Sequence, residues 1–380
     1  MIPAARAQAA IEVLDEVIRS ARADGAPADA IVTAYFKSRR YAGSKDRRAV
    51  RELVFQAVRH AAEIPASGRA ALLPIAGDLF DGSPRGPAPA ADGEQSAEPG
   101  IVPDWLRSEL SPLAEVTPAL VERAPLDLRA KPPRDLLLAE LPGAEPTPHS
   151  PWGLRLPPDT RISDHPAYLS GRMEVQDEGS QLVALACEPA NGQRIVDLCA
   201  GAGGKALALA AANPSARTIA CDTSRARLGK LAPRAERAGA EIEVRLLDQP
   251  REAEELFDLQ AQADVVLVDA PCSGSGTWRR NPEGRWRLTP ERLERLAALQ
   301  MRVLDLAAPL VKPGGSLVYA VCSLLSREGQ AQADAFLSRH SGFVAEDIPM
   351  NVGRCDGVGR LLTPGHDGTD GFFIARFRAT

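Results

Sequence analysis

Two cysteines each follow an apolar segment with the composition of a buried strand. Cys272 ends the run VVLVDAPC at 265–272, and Cys322 ends the run SLVYAVC at 316–322. Ligands of open α/β sheets bind outside the carboxyl ends of the strands, so we expect the two thiols to share one cleft. Two thiols beside a glycine loop of the nucleotide-binding type indicate covalent chemistry on a base rather than hydride or phosphoryl transfer.

That glycine loop lies at 195–205, where the sequence IVDLCAGAGGK predicts a strand, a turn and the start of a helix. Glycines let the backbone approach a ligand closely, and a helix N-terminus offers free N–H groups. Sites for NAD, FAD and S-adenosylmethionine all use such a loop, so the loop alone leaves the cofactor open. The residues expected to contact it are Cys199, Ala200, Gly201, Ala202, Gly203, Gly204 and Lys205.

Acidic residues end the next two predicted strands. Asp222 is placed to accept hydrogen bonds from ribose hydroxyls, and Asp248 is placed to contact an adenine amino group. The alternative is that both residues only cap helices or loops. A P-loop is excluded because Lys205 is followed by Ala206 rather than Ser or Thr. A nicotinamide dehydrogenase would leave the two loop cysteines without a role.

The bulk composition is that of a globular protein with two or three domains. The chain has 380 residues, of which 44% are hydrophobic, enough for a packed core. No run of about 18 uninterrupted apolar residues predicts a membrane span, and the N-terminus lacks a signal-peptide pattern. We therefore expect a cytoplasmic protein with no membrane contact, and the sequence predicts no obligate protein partner.

The cysteine and histidine pattern does not predict a metal site. None of the six cysteines forms a C-x-x-C pair, and the five histidines are scattered, so zinc binding is not expected. Cys187 falls in a helical stretch and Cys221 in an apolar strand, and both are interpreted as packing residues.

The net charge of −5 argues weakly against a nucleic-acid partner, but binding depends on local patches. One basic cluster contains Lys37, Arg39, Arg40, Lys45, Arg47, Arg48, Arg51 and Arg59. It is either a solvated helix face or a contact surface for RNA. A second cluster contains Arg279, Arg280, Arg285 and Arg287, interleaved with Trp278 and Trp286. Cations interleaved with aromatic rings there predict a surface for phosphates and bases.

The chain divides into three predicted regions. Residues 1–116 are expected to be helical, with a disordered Pro/Ala/Gly-rich loop near 82–100. Residues 117–171 predict a small α+β subdomain. Residues 172–380 alternate strands with helices, which is typical of a doubly wound α/β sheet. Strands are predicted at 194–198, 218–221, 242–247, 265–269, 316–322 and 371–377, and a long helix at 289–310 that the sequence KPGG at 312–315 ends before the next strand.

Four motifs in this order resemble those of the NOL/NOP/Sun family of RNA (cytosine-5) methyltransferases, and within it the bacterial RsmB (Sun/Fmu) type. They are QDEGS at 176–180, DAPCSGSG at 269–276 with RNP at 280–282, VYAVCSL at 318–324 with Glu328 beyond, and DGFF at 370–373. The likeness covers 172–380. Residues 1–120 are similar, more weakly, to the NusB-like RNA-binding domain of the same type, through DRR at 46–48 and ELV at 52–54.

The resemblance implies a fold and a reaction. The fold is a Rossmann-like class I methyltransferase domain with an N-terminal all-α (NusB-like) domain and a small α+β linker subdomain. The reaction is S-adenosyl-L-methionine-dependent methylation of cytosine C5 in RNA, with 16S ribosomal RNA expected, through a covalent adduct of cysteine with C6. Cys322 would be the nucleophile and Cys272 would help remove the C5 proton. Asp269 would lie between cofactor and base.

Two departures from the family pattern concern the site. Gly201 and Ala202 replace the usual Ala-Pro, and Val321 replaces the usual Thr before the second cysteine. The first change leaves smaller residues, so cofactor access is expected to survive. The second removes a hydroxyl but not the nucleophile.

Other functions remain open at this point. A transfer-RNA methyltransferase would share all of these motifs. A non-catalytic RNA-binding factor in ribosome assembly could keep the fold. A DNA or protein methyltransferase expects a motif such as DPPY or NPPY after the fourth strand, where this chain has DAPC.

Overall fold

The computed structural model describes residues 1–131 and 133–380. These residues form two compact units. The helical unit comprises Met1–Leu110, Val116–Glu122 and Thr277–Pro290, and the sheet unit comprises Ser111–Glu115, Arg123–Gly276 and Glu291–Thr380. No helix among the described residues is long and apolar enough to span a bilayer.

Four helices form the helical unit, as the periodicity of residues 1–80 predicts. They are α1 (Pro3–Arg22), α2 (Ala28–Lys37), α3 (Ser44–His60) and α4 (Gly68–Ala76). One face of α1 is fully buried, because Val13, Leu14 and Val17 recur at helical spacing and pack with Val54 and Val58 of α3. The Ser67 hydroxyl accepts a hydrogen bond from the Ala70 N–H and so caps the start of α4.

The Pro/Ala/Gly-rich loop at 82–100 contains no helix, and several of its residues have partners in the helical unit. The Arg69 guanidinium pairs with Glu94 and also donates to the carbonyls of Ala88 and Pro89. Pro99 forms an isolated bridge with Ala61. A single arginine therefore supplies hydrogen bonds that the proline-rich segment cannot make within itself.

The second basic cluster belongs to the core of the helical unit, so the prediction of a phosphate and base surface there is wrong. Trp278 is 1% exposed and Arg285 is 1% exposed. Arg285 donates to the carbonyls of Val58 and Arg59 in the last turn of α3, where helix carbonyls lack internal partners. The Trp286 indole donates to the Ala61 carbonyl. These side chains therefore stabilise the end of a helix.

The sheet unit contains two sheets. The smaller one has four antiparallel strands in the order β2-β3-β1-β4. Strands β1 to β3 lie in the region predicted as α+β, 117–171, whereas β4 lies just beyond its predicted boundary. Its elements are β1 (Leu126–Ala130), α5 (Asp135–Glu140), β2 (Glu145–Pro146), β3 (Gly153–Leu156), α6 (Pro166–Leu169) and β4 (Met173–Val175).

The larger sheet has nine strands. It runs β11-β12-β13-β9-β8-β5-β6-β7, with β10 also paired to β13. Its elements are α7 (Glu178–Leu185), β5 (Arg194–Asp197), α8 (Gly204–Ala212), β6 (Arg217–Asp222), α9 (Arg225–Leu228), α10 (Leu231–Ala238), β7 (Ile242–Leu246), α11 (Glu252–Glu255), β8 (Ala263–Asp269), α12 (Pro290–Ala307), β9 (Val311–Val321), α13 (Gln330–Arg339), β10 (Phe343–Glu346), β11 (Arg354–Asp356), β12 (Gly359–Leu362), α14 (Pro364–Asp367) and β13 (Phe372–Ala379).

Strands β5 to β9 are mutually parallel where they pair, and β13 is antiparallel to β9. The predicted strands agree with the structure in position and number for this part of the sheet. Most boundaries differ by one or two residues, and the largest difference is at β9, which begins at Val311 and includes 312–315. The pairing of β9 with β8 shifts register between Ala263 and Val265. Residues 312–315 therefore form an irregularity within β9 rather than a break before it.

Candidate active site at the carboxyl ends of the parallel strands

The parallel ladders bring four acidic or cysteine-bearing segments to one edge of the sheet. Asp197 ends β5, Asp222 ends β6 and Asp269 ends β8. Cys322 follows the last residue of β9, and Asp269 is paired with Ala320 of that strand. The edge is the position at which open α/β sheets bind ligands.

The two predicted catalytic sulfurs meet at this edge. Cys272 Sγ lies 3.4 Å from Cys322 Sγ, and both cysteines are free and partly buried. The hydrogen bond with Cys322 raises the pKa of Cys272 well above its usual value, and burial and the charge of a Cys322 thiolate add to this effect. Cys272 therefore keeps its proton at neutral pH.

A close backbone approach keeps the Cys272 loop against its neighbours. A Cβ on Gly276 would lie 2.1 Å from the Gly371 carbonyl oxygen, so only glycine fits there. The Gly276 N–H donates to the Cys322 carbonyl at 3.1 Å, and the Gly371 N–H donates to the Gly276 carbonyl at 2.8 Å. The segment DAPCSGSG is thus fixed to both β9 and the start of β13.

Lys205 and Asp269 form a buried ion pair beside the sulfurs. Lys205 Nζ lies 2.6 Å from Asp269 Oδ2, and the Lys205 side chain is 10% exposed. Burial opposes the charge on Lys205, but the charge and hydrogen bond of Asp269 outweigh it, so the pKa of Lys205 is raised. A negative charge at Cys322 also raises the pKa of Lys205, so the lysine and this sulfur interact electrostatically.

The glycine loop joins β5 to α8 as predicted. Gly203 has φ +80°, and a Cβ there would lie 2.1 Å from Leu231 Cδ1, so both backbone and packing require glycine. A Cβ on Gly201 or Gly204 would meet nothing within 4 Å. The loop therefore has open space in front of its backbone at the N-terminus of α8.

Asp222 supports this loop directly. Its carboxylate accepts hydrogen bonds from the Gly201 N–H at 2.8 Å and from the Ser224 N–H at 2.7 Å, and Arg227 pairs with it at 3.1 Å. The Asp248 side chain is 61% exposed and lies beyond the end of β7. Asp248 thus occupies the predicted edge of the sheet, with Arg251 at 3.7 Å.

Three further loop residues, Cys199, Ala200 and Ala202, are wholly or partly buried or bonded to the protein. Burial raises the pKa of Cys199 well above its usual value, so this thiol is unreactive at neutral pH. Ala200 is buried, and Arg234 donates to the Ala202 carbonyl. Arg234 thus fixes the loop at Ala202, while the space beside Gly201 and Gly204 stays open.

Asp197 is a site residue that was not predicted. Both carboxylate oxygens are buried and have no aligned hydrogen-bond partner among the described residues. Burial raises the pKa of Asp197 to about 7, the charge of Asp269 adds to this, and Lys205 and the Cys199 N–H counteract it only in part. A sequence signal existed, since Asp197 is an acidic residue that ends an apolar strand directly before the loop.

The raised pKa of Asp197 predicts a loss of stability as pH rises. Between about pH 4 and pH 7 the native state keeps a proton that the unfolded chain has lost, so the free energy of unfolding falls as pH increases. Each pH unit of such a difference is worth about 1.4 kcal/mol, giving a loss of up to about 4 kcal/mol. Asp197→Asn is expected to remove this decline, measured by urea unfolding at pH 4 to 8.

Asp264→Asn is the matched control. Hydrogen bonds and charge from Lys312 and Arg194 outweigh burial and lower the pKa of Asp264. The resulting stabilisation is present above about pH 4, so Asp264→Asn lowers the free energy of unfolding there by a nearly constant amount and should keep the decline between pH 4 and 7. Parallel curves for wild type and Asp197→Asn between pH 4 and 7 would show that Asp197 does not titrate as this site requires.

Among residues 1–131 and 133–380, no group of three or more His, Cys, Asp or Glu side chains could hold a metal ion.

Comparison with known protein families identifies the family to which the chain belongs. A family model described as 16S rRNA methyltransferase RsmB/F matches residues 184–378. The chain belongs to this family. Membership confirms the resemblance predicted from the motifs, the assignment to the methyltransferase enzymes and S-adenosyl-L-methionine as the cofactor.

Relatives with curated names are similar over most of the chain. Ribosomal RNA small subunit methyltransferase B of Erwinia tasmaniensis is 33% identical over 297 residues, covering 75% of this chain and 67% of that protein. The protein of the same name from Salmonella arizonae is 36% identical over 231 residues, covering 61% of this chain and 52% of that protein. The chain thus spans between about half and two thirds of these RsmB/F relatives.

Solved structures show the same fold. The crystal structure of PH0851 has a TM-score of 0.75 at 22% identity and covers 99% of both chains. The structure of a methyltransferase homolog protein from Pyrococcus horikoshii has a TM-score of 0.59 at 25% identity, covering 69% of this chain and 88% of that one. The α/β methyltransferase fold predicted for residues 172–380 is thereby confirmed.

The residues of this RsmB/F chain fit S-adenosyl-L-methionine. The open space before Gly201 and Gly204 admits a ligand close to the backbone. The cofactor carries positive charge on its sulfonium and its amino group, and the unpartnered Asp197 carboxylate suits a cationic ligand. A site that lacked such a carboxylate would leave those charges uncompensated in a buried place.

Proposed function

We propose that this protein methylates C5 of a cytosine in small-subunit (16S) ribosomal RNA through a covalent cysteine adduct. The observation that carries the proposal is the 3.4 Å approach of Cys272 Sγ and Cys322 Sγ beside the Lys205–Asp269 pair. Two sulfurs in contact at one edge of the sheet can divide the reaction, with one attacking cytosine C6 and the other removing the C5 proton. The similarity to proteins named ribosomal RNA small subunit methyltransferase B supports the choice of RNA.

Cys322 is the proposed nucleophile. Cytosine C5 is a poor nucleophile until a thiolate bonds to C6, which makes C5 enamine-like. The Cys322 sulfur interacts electrostatically with the positive charge of Lys205. The Cys272 S–H can donate a hydrogen bond to the same sulfur. Both interactions stabilise a thiolate at this position.

Cys272 is proposed to remove the C5 proton. While Cys322 is a thiolate, its hydrogen bond, burial and its charge hold the proton on Cys272. The hydrogen bond and the charge are lost when the Cys322 electron pair enters the bond to C6, so the pKa of Cys272 falls and this residue can release its proton to solvent. The resulting thiolate takes the C5 proton, the electrons of that bond restore the C5–C6 double bond, and Cys322 leaves as a thiolate.

Asp269 is proposed to orient the base, and the loop is proposed to hold the methyl donor. The Asp269 carboxylate, held by Lys205, can accept a hydrogen bond from the cytosine amino group. The donor would be held by Asp197, Asp222, Asp248 and the backbone of 199–204. When bound it supplies an electrophilic methyl group on a cationic sulfur, which C5 receives. The target cytosine must leave its stack to reach this edge.

The helical unit is proposed to bind RNA as a NusB-like domain. Lys37, Arg40, Lys45 and Arg48 are exposed in and around the α2–α3 connection, and the Tyr41 side chain beside them is 75% exposed. Exposed cations beside an aromatic ring suit phosphates and an unstacked base. Other members of the cluster have internal partners, since Arg39 lies over the Tyr35 ring and pairs with Glu12.

Ribosomal RNA as substrate implies a cytoplasmic enzyme. One experiment distinguishes this function from two others, a transfer-RNA methyltransferase and a non-catalytic assembly factor. Purified protein and radiolabelled S-adenosylmethionine are incubated with small-subunit ribosomal RNA and with transfer RNA, followed by nucleoside analysis. Label in 5-methylcytidine of ribosomal RNA is the expected result. Label in transfer RNA would favour a transfer-RNA enzyme, and absence of label in both would favour an assembly factor. Bisulfite sequencing of total RNA from a deletion strain identifies the cytosine.

A further inference from the structure

One buried carboxylate touches both cysteine loops. Glu328 is 0% exposed and lies in the segment between β9 and α13. Its Oε1 accepts hydrogen bonds from the Ser273 N–H at 2.8 Å and from Gln300 Nε2 at 2.9 Å. Its Oε2 accepts from the hydroxyls of Ser273 and Ser323. All four of these donors are neutral groups, which converge on a single side chain.

The partners of Glu328 are the immediate neighbours of the two cysteines. Ser273 follows Cys272, and Ser323 follows Cys322. Gln300, on α12, also donates to the carbonyl of Pro271 at 2.9 Å, on the other side of Cys272. The Tyr319 hydroxyl donates to the Glu328 carbonyl at 2.6 Å, which fixes the glutamate backbone to β9. The carboxylate is thus tied to the sheet on one side and to both loops on the other.

We propose that Glu328 is a positioning residue for the two-cysteine reaction, because its carboxylate holds the loops of Cys272 and Cys322 so that the sulfurs stay in contact. This inference rests on the proposed function, since it assigns a role within that reaction. Four hydrogen bonds to a buried carboxylate are charge-assisted and shorter than neutral ones, so they define loop positions strongly. Loss of the side chain would leave the Ser273 N–H without its acceptor and would remove one acceptor each from Gln300 and the two serine hydroxyls.

The charge of Glu328 has a second consequence for the pair. After the hydrogen bond to Cys322, burial and the charge of Cys322, the charge of Glu328 also raises the pKa of Cys272. The other titratable groups around the two sulfurs are Tyr319 on β9, Lys205 on α8 and Asp269 on β8. Glu328 therefore favours the protonated form of Cys272.

Glu328→Gln separates charge from position. A glutamine oxygen can still accept from Ser273 N–H and Gln300, and its amide can donate to the two serine hydroxyls, which also act as acceptors. The loops are therefore expected to stay in place while the negative charge is lost. We expect the pH profile of Cys272 alkylation by iodoacetamide, followed by peptide mass spectrometry without RNA or cofactor, to move by about one pH unit to lower pH.

Glu328→Ala removes both charge and position. We expect turnover with RNA to fall at least about 100-fold, while the Kd for S-adenosylmethionine stays within about twofold. Glu346→Gln is the matched control for both variants. The Glu346 carboxylate is also hydrogen-bonded, to Ser316 and Arg376, but it lies on β10 and its partner Ser316 is six positions before Cys322. This control should keep wild-type turnover and a wild-type alkylation profile.

The outcomes separate this inference from the proposed function. Turnover of Glu328→Ala within threefold of wild type would overturn the positioning role, and an alkylation profile of Glu328→Gln that matches the Glu346→Gln control would overturn the effect of the Glu328 charge. Should Glu328→Ala fail to fold, Glu328→Asp, which keeps the charge but shortens the side chain, takes its place, and wild-type turnover of that variant would overturn the positioning role. If wild type itself transfers no methyl group to RNA, the proposed function fails, whereas the alkylation profile still reports on Glu328.

Discussion

Cys272→Ala is expected to accumulate a protein–RNA adduct that survives denaturing gel electrophoresis. The variant keeps Cys322, so the bond to C6 can form, but it lacks the sulfur that lies 3.4 Å away and is proposed to take the C5 proton. Without proton removal the C6–S bond cannot break. The measurement is the fraction of protein that migrates with labelled RNA after incubation with S-adenosylmethionine, which should rise from almost none to a large share.

The control for this adduct is the double variant Cys272→Ala with Cys322→Ala. It removes the proposed nucleophile while leaving the rest of the edge intact, so the slow-migrating band should disappear. A band that persists in the double variant would place the covalent bond elsewhere, and a single variant with wild-type turnover would deny Cys272 its role.

Cys322→Ala is expected to lower methyl transfer by at least about three orders of magnitude, since the loss of a nucleophile commonly removes most of an enzyme's rate enhancement. The cofactor loop does not depend on this sulfur, because Gly201 and Ala202 are held by Asp222 and Arg234. Calorimetry should therefore give a Kd for S-adenosylmethionine within about twofold of wild type. The rate is measured as labelled methyl groups incorporated into RNA.

Cys355→Ala is the matched cysteine control for this rate. Cys355 is an exposed thiol on β11, so its substitution should leave methyl transfer at the wild-type level. Methyl transfer by Cys322→Ala at a rate like that of Cys355→Ala would exclude the covalent mechanism. A parallel loss of cofactor binding would instead show that Cys322 supports the loop.

The sequence predicts the edge of the sheet well because its signals are local. Apolar runs that end in Asp269 or Cys322 define strands by composition, and parallel pairing then brings their carboxyl ends together. Gly203 is predicted for a physical reason that the structure bears out, since its φ of +80° lies in the region that favours glycine.

The parts that the sequence does not predict depend on contacts between distant segments. Arg285 and Trp286 have the composition of a nucleic-acid surface, but their partners are carbonyls at the end of α3, more than 200 positions earlier in the chain. Local sequence cannot distinguish a phosphate from a helix carbonyl as the partner of a cation. Likewise Glu328 is found as a motif residue, but its contact with Ser273 requires the folded sheet.

The peptide that carries the RNA adduct tests the central claim most directly. The Cys272→Ala variant is incubated with S-adenosylmethionine and ribosomal RNA, digested with nuclease and protease, and examined by mass spectrometry. We predict a modified cytidine attached to Cys322 alone. A nucleotide on any other residue, or a variant that methylates RNA at the wild-type rate without an adduct, would contradict the mechanism.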